Sequence, residues 1–383
     1  MRTPLEGVRV LDLSHALAGP FCSTMLADFG AEVIKLEPAG GDIARAWGTP
    51  MQGGETAYFV SLHRNKKGIV VDLKSRPGKD VFFRLMERCD VVLENYRVGA
   101  LAKLGLDYGA ASARNPGIIY CSISGFGQDG PYRDRAALDL ILQAESGMIS
   151  VTGEPGGRGV RCGVSIADQT AGMYAAFSIL LALRVKERTG KGQRIDVSML
   201  EGQMSLLGTM IGGFLQNGEV PEPMGTAYQA LLPYQTFRTR TRDLALAVGS
   251  EKLWQLFCPA IGRPDLLVDS RFRNNAERGR NRAALCAILQ EVLQGADSEE
   301  RFEKWRKYFT GLCCYTARDP VASHVAAARM YQSCRRAGKT PRSSNDCLIA
   351  RIAVEHSLLL LHDDRDFETI AAVTPDLRLC PVK

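Results

Sequence analysis

The chain predicts an α/β fold: a parallel sheet covered by helices, followed by a smaller α+β domain. Two observations carry this. Over residues 8–213 short apolar runs alternate with helix-length segments, the pattern of strands buried on both faces and joined by helical crossovers. From Pro221 onward the texture changes to loop residues, two short strands and then helices.

Val8 to Leu13 reads as a buried strand, and a loop carrying Ala18-Gly19-Pro20 leads into an amphipathic helix ending at Phe29. Glu32 to Glu37 is a second strand, which completes a βαβ unit. Further strands are expected at Gly68 to Leu73, Asp90 to Asn95, Ile118 to Ile123 and Gln193 to Val197. Helices are expected at Lys79 to Arg88, Gly99 to Leu104, Leu138 to Met148, Thr170 to Arg188 and Leu200 to Gly213. In the smaller domain, strands at Tyr234 to Arg238 and Asp243 to Val248 precede helices at Lys252 to Ile261 and Arg282 to Leu293.

Composition bounds the function. At 383 residues, 45% hydrophobic and 23% charged, the chain has room for two or three domains with a sizeable core. Its formal charge of +6 is spread along the sequence, which argues against a nucleic-acid surface and suits a small ligand bearing phosphates. Eleven cysteines, odd in number and without C-x-x-C or a Cys/His zinc pattern, read as buried thiols and imply neither disulfides nor metal. The N-terminus enters a strand without a charged and apolar leader, and the apolar stretches fall short of about 18 to 20 residues. A cytoplasmic protein with no membrane span is expected. Dinucleotide binding is not, because the first βα loop lacks G-x-G-x-x-G, although Glu37 ends the second strand where a ribose-binding acid would sit.

Asp168 is the most informative single residue. It follows Gly163-Val164-Ser165-Ile166-Ala167 and opens a long apolar helix in which Gly172, Ala175, Ala176 and Ala182 permit close packing. Unpaired N–H groups and the positive end of the helix dipole favour a carboxylate there, so an anion is expected at neutral pH. Such a carboxylate is either a helix cap or a covalent nucleophile.

Several motifs then occur in order. They are Pro4 to Leu13, Ala18-Gly19-Pro20, Leu26 to Pro38, Arg64 to Gly68 with Val71 to Lys74, and Glu94 to Arg97 with Gly99-Ala100-Leu101. Ser124 to Gln128 with Gly130-Pro131-Tyr132, the Asp168 segment and Thr189 to Gln193 follow. Over about residues 1–305 the chain resembles the family III CoA transferases, the CaiB/BaiF or formyl-CoA transferase group. The resemblance implies a Rossmann-like CoA-binding domain over 1–220, a smaller α+β domain over 221–305, and a homodimer. It also implies Asp168 as nucleophile, forming an aspartyl mixed anhydride with an acyl-CoA before CoA passes to a carboxylic acid. CoA enters as substrate; no metal or other cofactor is required. His15 and Ala18 are placed beside the ligand, and Lys74, Asn95, Tyr96, Arg97, Lys103 and Asp139 complete its site. Gly225 lies where the family carries a mobile glycine segment. Leu17 stands where formyl-CoA enzymes have glutamine, which points to a larger, less polar acyl group.

Two alternatives are carried forward. One is a catalytically impaired CoA-binding remnant. The other is an α-methylacyl-CoA racemase, whose catalytic His is replaced here by Leu138, a side chain that exchanges no proton. Beyond Arg301 to Thr310 the resemblance stops, and the segment 310–383 resembles the C-terminal half of a PIN-domain ribonuclease. The motifs are Tyr331 to Arg336, Ser344 to Ala350 and His362 to Phe367, with Asp346 and Asp364 matching two of four metal-binding acids. A truncated transferase joined to a partial PIN-like segment is therefore expected.

Overall fold

The computed structural model describes residues 3–51, 53–239, 243–294, 319–338, 341, 344–362 and 365–381. The chain forms two compact units, Met1–Ala227 and Tyr228–Lys383. The junction expected at 305–310 lies outside the described residues, as does Asp364.

The first unit is built on six parallel strands: β1 (Arg9–Asp12), β2 (Glu32–Glu37), β3 (Lys66–Val70), β4 (Val91–Glu94), β5 (Ile119–Ser124) and β6 (Arg194–Ser198), in the order β3-β2-β1-β4-β5-β6. β4 and β5 are buried along their whole length, as expected for central strands covered on both faces. Val10, Val33, Val91, Leu93, Ile119 and Cys121 face a core shared with helices α1 (Ala18–Asp28) and α7 (Ile166–Thr189). Leu11, Leu36, Val92 and Tyr120 face the opposite core with α3 (Arg76–Met86), α4 (Ala100–Leu104) and α5 (Tyr108–Arg114). Helices α2 (Ala57–His63), α6 (Asp139–Glu145), α8 (Met199–Leu206) and α9 (Gly208–Asn217) complete the unit.

The structure moves some expected boundaries. β3 spans Lys66–Val70, ahead of the expected run, because backbone pairing with β2 ends at Val70 while Val71 and Leu73 turn into the core beyond it. The helix expected over Leu200 to Gly213 is two helices, meeting at Leu207. α7 begins at Ile166 rather than at Asp168. It is long and apolar enough to cross a membrane by length and composition, yet Ala167, Ala171, Ala175, Ile179 and Ala182 are fully buried in the core on one side of the sheet.

The second unit contains an antiparallel pair, β7 (Tyr234–Arg238) and β8 (Asp243–Ala247), and helices α10 (Glu251–Ala260), α11 (Asn275–Arg280) and α12 (Arg282–Gln294). Trp254, Phe257, Phe272, Leu285 and Leu289 form its core. Farther along, the helices Pro320–Arg336 and Ser344–Glu355 share a separate core with two parallel strands, β9 (Leu359–His362) and β10 (Arg378–Pro381).

Candidate active site

The sheet order reverses at β1, with β2 on one side and β4 on the other. In an open parallel sheet, ligands bind in the crevice beyond the strand ends at such a point. Here the crevice is bordered by the loop from Asp12 into α1 and by the residues after β4. His15 and Asn95 lock these together: the His15 N–H donates to Asn95 Oδ1 at 2.9 Å, and Asn95 Nδ2 donates to the His15 carbonyl at 2.8 Å. The His15 ring stands edge-on to Tyr96, centroids 5.3 Å apart. Burial lowers the His15 pKa, which leaves a neutral imidazole at neutral pH.

Asp168 sits in the first turn of α7, after the N-cap Ser165, whose side chain makes no capping bond. Gly172, one turn on, lets α1 approach closely. A Cβ there would lie 2.7 Å from the Ala18 carbonyl oxygen and 3.0 Å from the Phe21 ring. This approach brings the start of α1 to Asp168, and the Ala18 backbone amide faces the carboxylate.

The electrostatic expectation for Asp168 is corrected by its surroundings. Burial is the largest influence and the negative charge of Asp139 adds to it; together they outweigh the Ala18 amide and raise the pKa to about 7. Desolvation and a like charge have overcome the helix terminus. Asp139 opens α6, and its placement is fixed: Oδ1 accepts the Ala167 N–H at 2.9 Å and Oδ2 accepts Gln143 Nε2 at 2.7 Å. Arg161 stands 3.8 Å from Oδ2.

Sequence reasoning missed Tyr58, on α2. Its phenol is raised to about 12 by burial and then by the charges of Asp168, Asp42 and Asp139, so it lies within reach of the same field. It also missed Glu94, which burial pushes to about 7 despite hydrogen bonds from Ser122 and the Tyr96 N–H. Glu94 lies within the Glu94 to Arg97 motif, but nothing in that motif marks its burial, and no motif includes Tyr58.

The remaining expected residues are dispersed. Lys74 follows β3 and Lys103 lies in the last turn of α4, both exposed. Arg97 lines a cavity of about 290 Å³ with Glu94, Tyr108, Ser122 and Arg194, whose walls include neither Asp168 nor His15 nor Ala18. Gly225 has φ 60°, and its N–H donates to the Gly153 carbonyl at 2.7 Å, so this glycine is tied to a neighbouring turn. Among the described residues, no three His, Cys, Asp or Glu side chains converge as a metal site.

Comparison with known proteins gives the arrangement its context. The model of CoA-transferase family III matches residues 5–352, past the boundary expected near 305. Succinyl-CoA:glutarate CoA-transferase of Homo sapiens is 40% identical over 309 residues, 80% of this chain and 70% of that one. Succinate–glutarate CoA-transferase of Agrobacterium fabrum is 41% identical over 338 residues, 86% of this chain and 82% of the relative. The crystal structure of a CAIB/BAIF family protein from Brucella suis superposes with a TM-score of 0.69 at 36% identity, covering 84% of this chain and 85% of that one.

Proposed function

Since this chain belongs to CoA-transferase family III and is a CoA transferase, we propose that Asp168 is the nucleophile through which it moves CoA from an acyl-CoA to a carboxylic acid. The observation that carries this is the Asp168 carboxylate in the first turn of α7, facing the Ala18 amide. One carboxylate oxygen adds to the thioester carbonyl carbon, the C–S bond breaks, and CoA leaves as thiolate. The thiolate then attacks the aspartyl carbonyl and releases the donor acid. The acceptor carboxylate displaces CoA from the aspartyl thioester, and the returning thiolate takes the new acyl group and frees Asp168. Every step passes through an oxyanion, for which backbone amides at the start of α1 are suitable donors.

Carboxylate chemistry needs a charged nucleophile, and burial together with Asp139 raises the Asp168 pKa to about 7, so the charged fraction grows as pH rises through neutrality. His15, Ala18, Asn95 and Tyr96 form the near wall of the CoA site in this reading. Lys74, Arg97 and Lys103 supply cations for phosphates, and Asp139 orders the start of α7. No metal or further cofactor takes part. Relatives named for succinyl-CoA and glutarate make a dicarboxylic acyl group the first donor to test. The exposed apolar side chains Met173, Tyr174, Phe177, Leu180 and Leu181 on α7 support a homodimer, which light scattering would test. Among the described residues the cysteines form no disulfide and most are buried, which supports a reducing cytoplasm.

The deciding experiment incubates the protein with succinyl-CoA and quenches with hydroxylamine. A hydroxamate mapped to Asp168 is expected; CoA binding without any adduct favours the non-catalytic remnant. Racemisation is disfavoured by Leu138, an exposed N-cap that exchanges no proton. The C-terminal segment has a core of its own, and the CoA-transferase family III model extends into it as far as residue 352; the partial PIN-like reading of 310–383 rests on the sequence resemblance alone.

A further inference from the structure

The loop that carries Ala18 to Asp168 has its backbone held by buried side chains. Asp12 Oδ1 accepts the Ser14 N–H at 2.9 Å, Lys35 Nζ donates to the Ser14 carbonyl, and Asn95 takes both polar groups of His15. Asp42 Oδ1 accepts the Ala16 N–H at 3.0 Å. Ala16 has φ 65°, a left-handed conformation that side chains other than glycine adopt at a cost. Asp42 is itself fixed. It is 3% exposed, its other oxygen lies 3.1 Å from Lys35 Nζ, and its N–H donates to Glu37 Oε2 at 2.8 Å. Arg45 in turn holds Glu37 through two bonds of 2.8 and 2.9 Å.

We propose that Asp42 is a positioning residue for the transfer reaction: it holds Ala16 in the left-handed turn that aims the Ala18 amide at Asp168. An ordinary loop alanine would relax to negative φ, and the first residues of α1 would swing with it. The ion pair with Lys35 explains the choice of a charged acceptor. Lys35 also grips the Ser14 carbonyl, so one buried pair clamps two of the three loop residues before Leu17.

This rests on the reading of Asp168 as nucleophile, and the test separates the two. Asp42→Ala, Asp42→Asn and Ala16→Val are compared with wild type by melting temperature, hydroxamate trapping with succinyl-CoA, and the pH profile of kcat/KM. Loss of the amide should move the acid limb of the profile upward, since Asp139, Tyr58 and the Ala18 amide are the groups facing Asp168 and only the amide is displaced. Asp42→Ala is expected to shift the limb upward and lower kcat/KM at neutral pH by about tenfold or more. Asp42→Asn keeps an oxygen toward Ala16 and should restore the limb. Because Asp42→Ala strands Lys35 and can unfold the chain, Ala16→Val provides the independent case. It penalises positive φ without removing a charge, and should shift the limb as Asp42→Ala does. Folded Asp42→Ala or Ala16→Val protein with a wild-type profile overturns the proposal. Wild-type protein without a hydroxamate overturns the nucleophile reading instead.

Discussion

Asp139 accepts the N–H of Ala167 and thereby stations its own negative charge beside Asp168. The same carboxylate both orders the first turn of α7 and makes its neighbour harder to ionise. This pairing governs the pH behaviour of the site.

Replacing Asp139 with Asn keeps an acceptor for Ala167 but removes the charge. The pKa of Asp168 should fall and the acid limb of kcat/KM should move to lower pH. The shift will be partial, since burial is the larger cause. A steady-state pH profile measures this, and a limb that stays in place or rises removes Asp139 from the electrostatics of Asp168.

Asp168→Ala should reduce turnover by about 10³-fold or more while CoA affinity stays within about threefold, since the nucleophile is lost and the phosphate contacts are not. Isothermal titration with CoA alongside a coupled transfer assay gives both numbers. Transfer at more than a tenth of the wild-type rate would falsify the assignment.

Stability should respond to the same carboxyl group. In the unfolded chain the acid ionises near pH 4, and in the folded chain at about 7. Between these values the folded state binds the extra proton, so stability falls as pH rises through that window and levels off above it. Asp168→Asn escapes this loss. The variant should gain on the order of 4 kcal/mol over wild type at pH 8 relative to pH 4, read from urea melts at the two pH values. A difference of zero would place the carboxyl in solvent.

Lys103→Ala should weaken CoA by about 1 to 3 kcal/mol if its ammonium meets a phosphate, and the loss should shrink at high salt. Arg97 lines the cavity with Glu94, Tyr108 and Arg194 and Lys103 does not, so the comparison is informative. Equal losses for Lys103→Ala and Arg97→Ala would show that CoA reaches both, whereas unchanged affinity in both would remove the pair from the site.

Much of the first unit was legible because its central strands are largely apolar runs. β4 and β5 carry buried residues at every position, so their hydrophobicity announces them. The edge strand β3 is mostly polar or half-exposed, with the pattern set by pairing to β2, and its apolar signal belongs to the turn that follows. α2, only seven residues long, has too few turns to show a period. Asp168 was found by position and motif, but its ionisation was not. That property depends on Asp139, which the fold brings near from another helix, and on burial that no local pattern records. Asp42 was missed for the same reason, since its partners Ala16 and Lys35 precede it on separate elements.

Gly172 gives this arrangement its tolerance. With only 2.7 Å between a notional Cβ and the Ala18 carbonyl oxygen, the two helices have no slack in which to absorb a methyl group. On the proposed role of Asp168, its reactivity is mechanically coupled to a residue that bears no functional group. A lineage of this enzyme can lose its activity through a single inert carbon, with every acid, amide and cation still in its sequence.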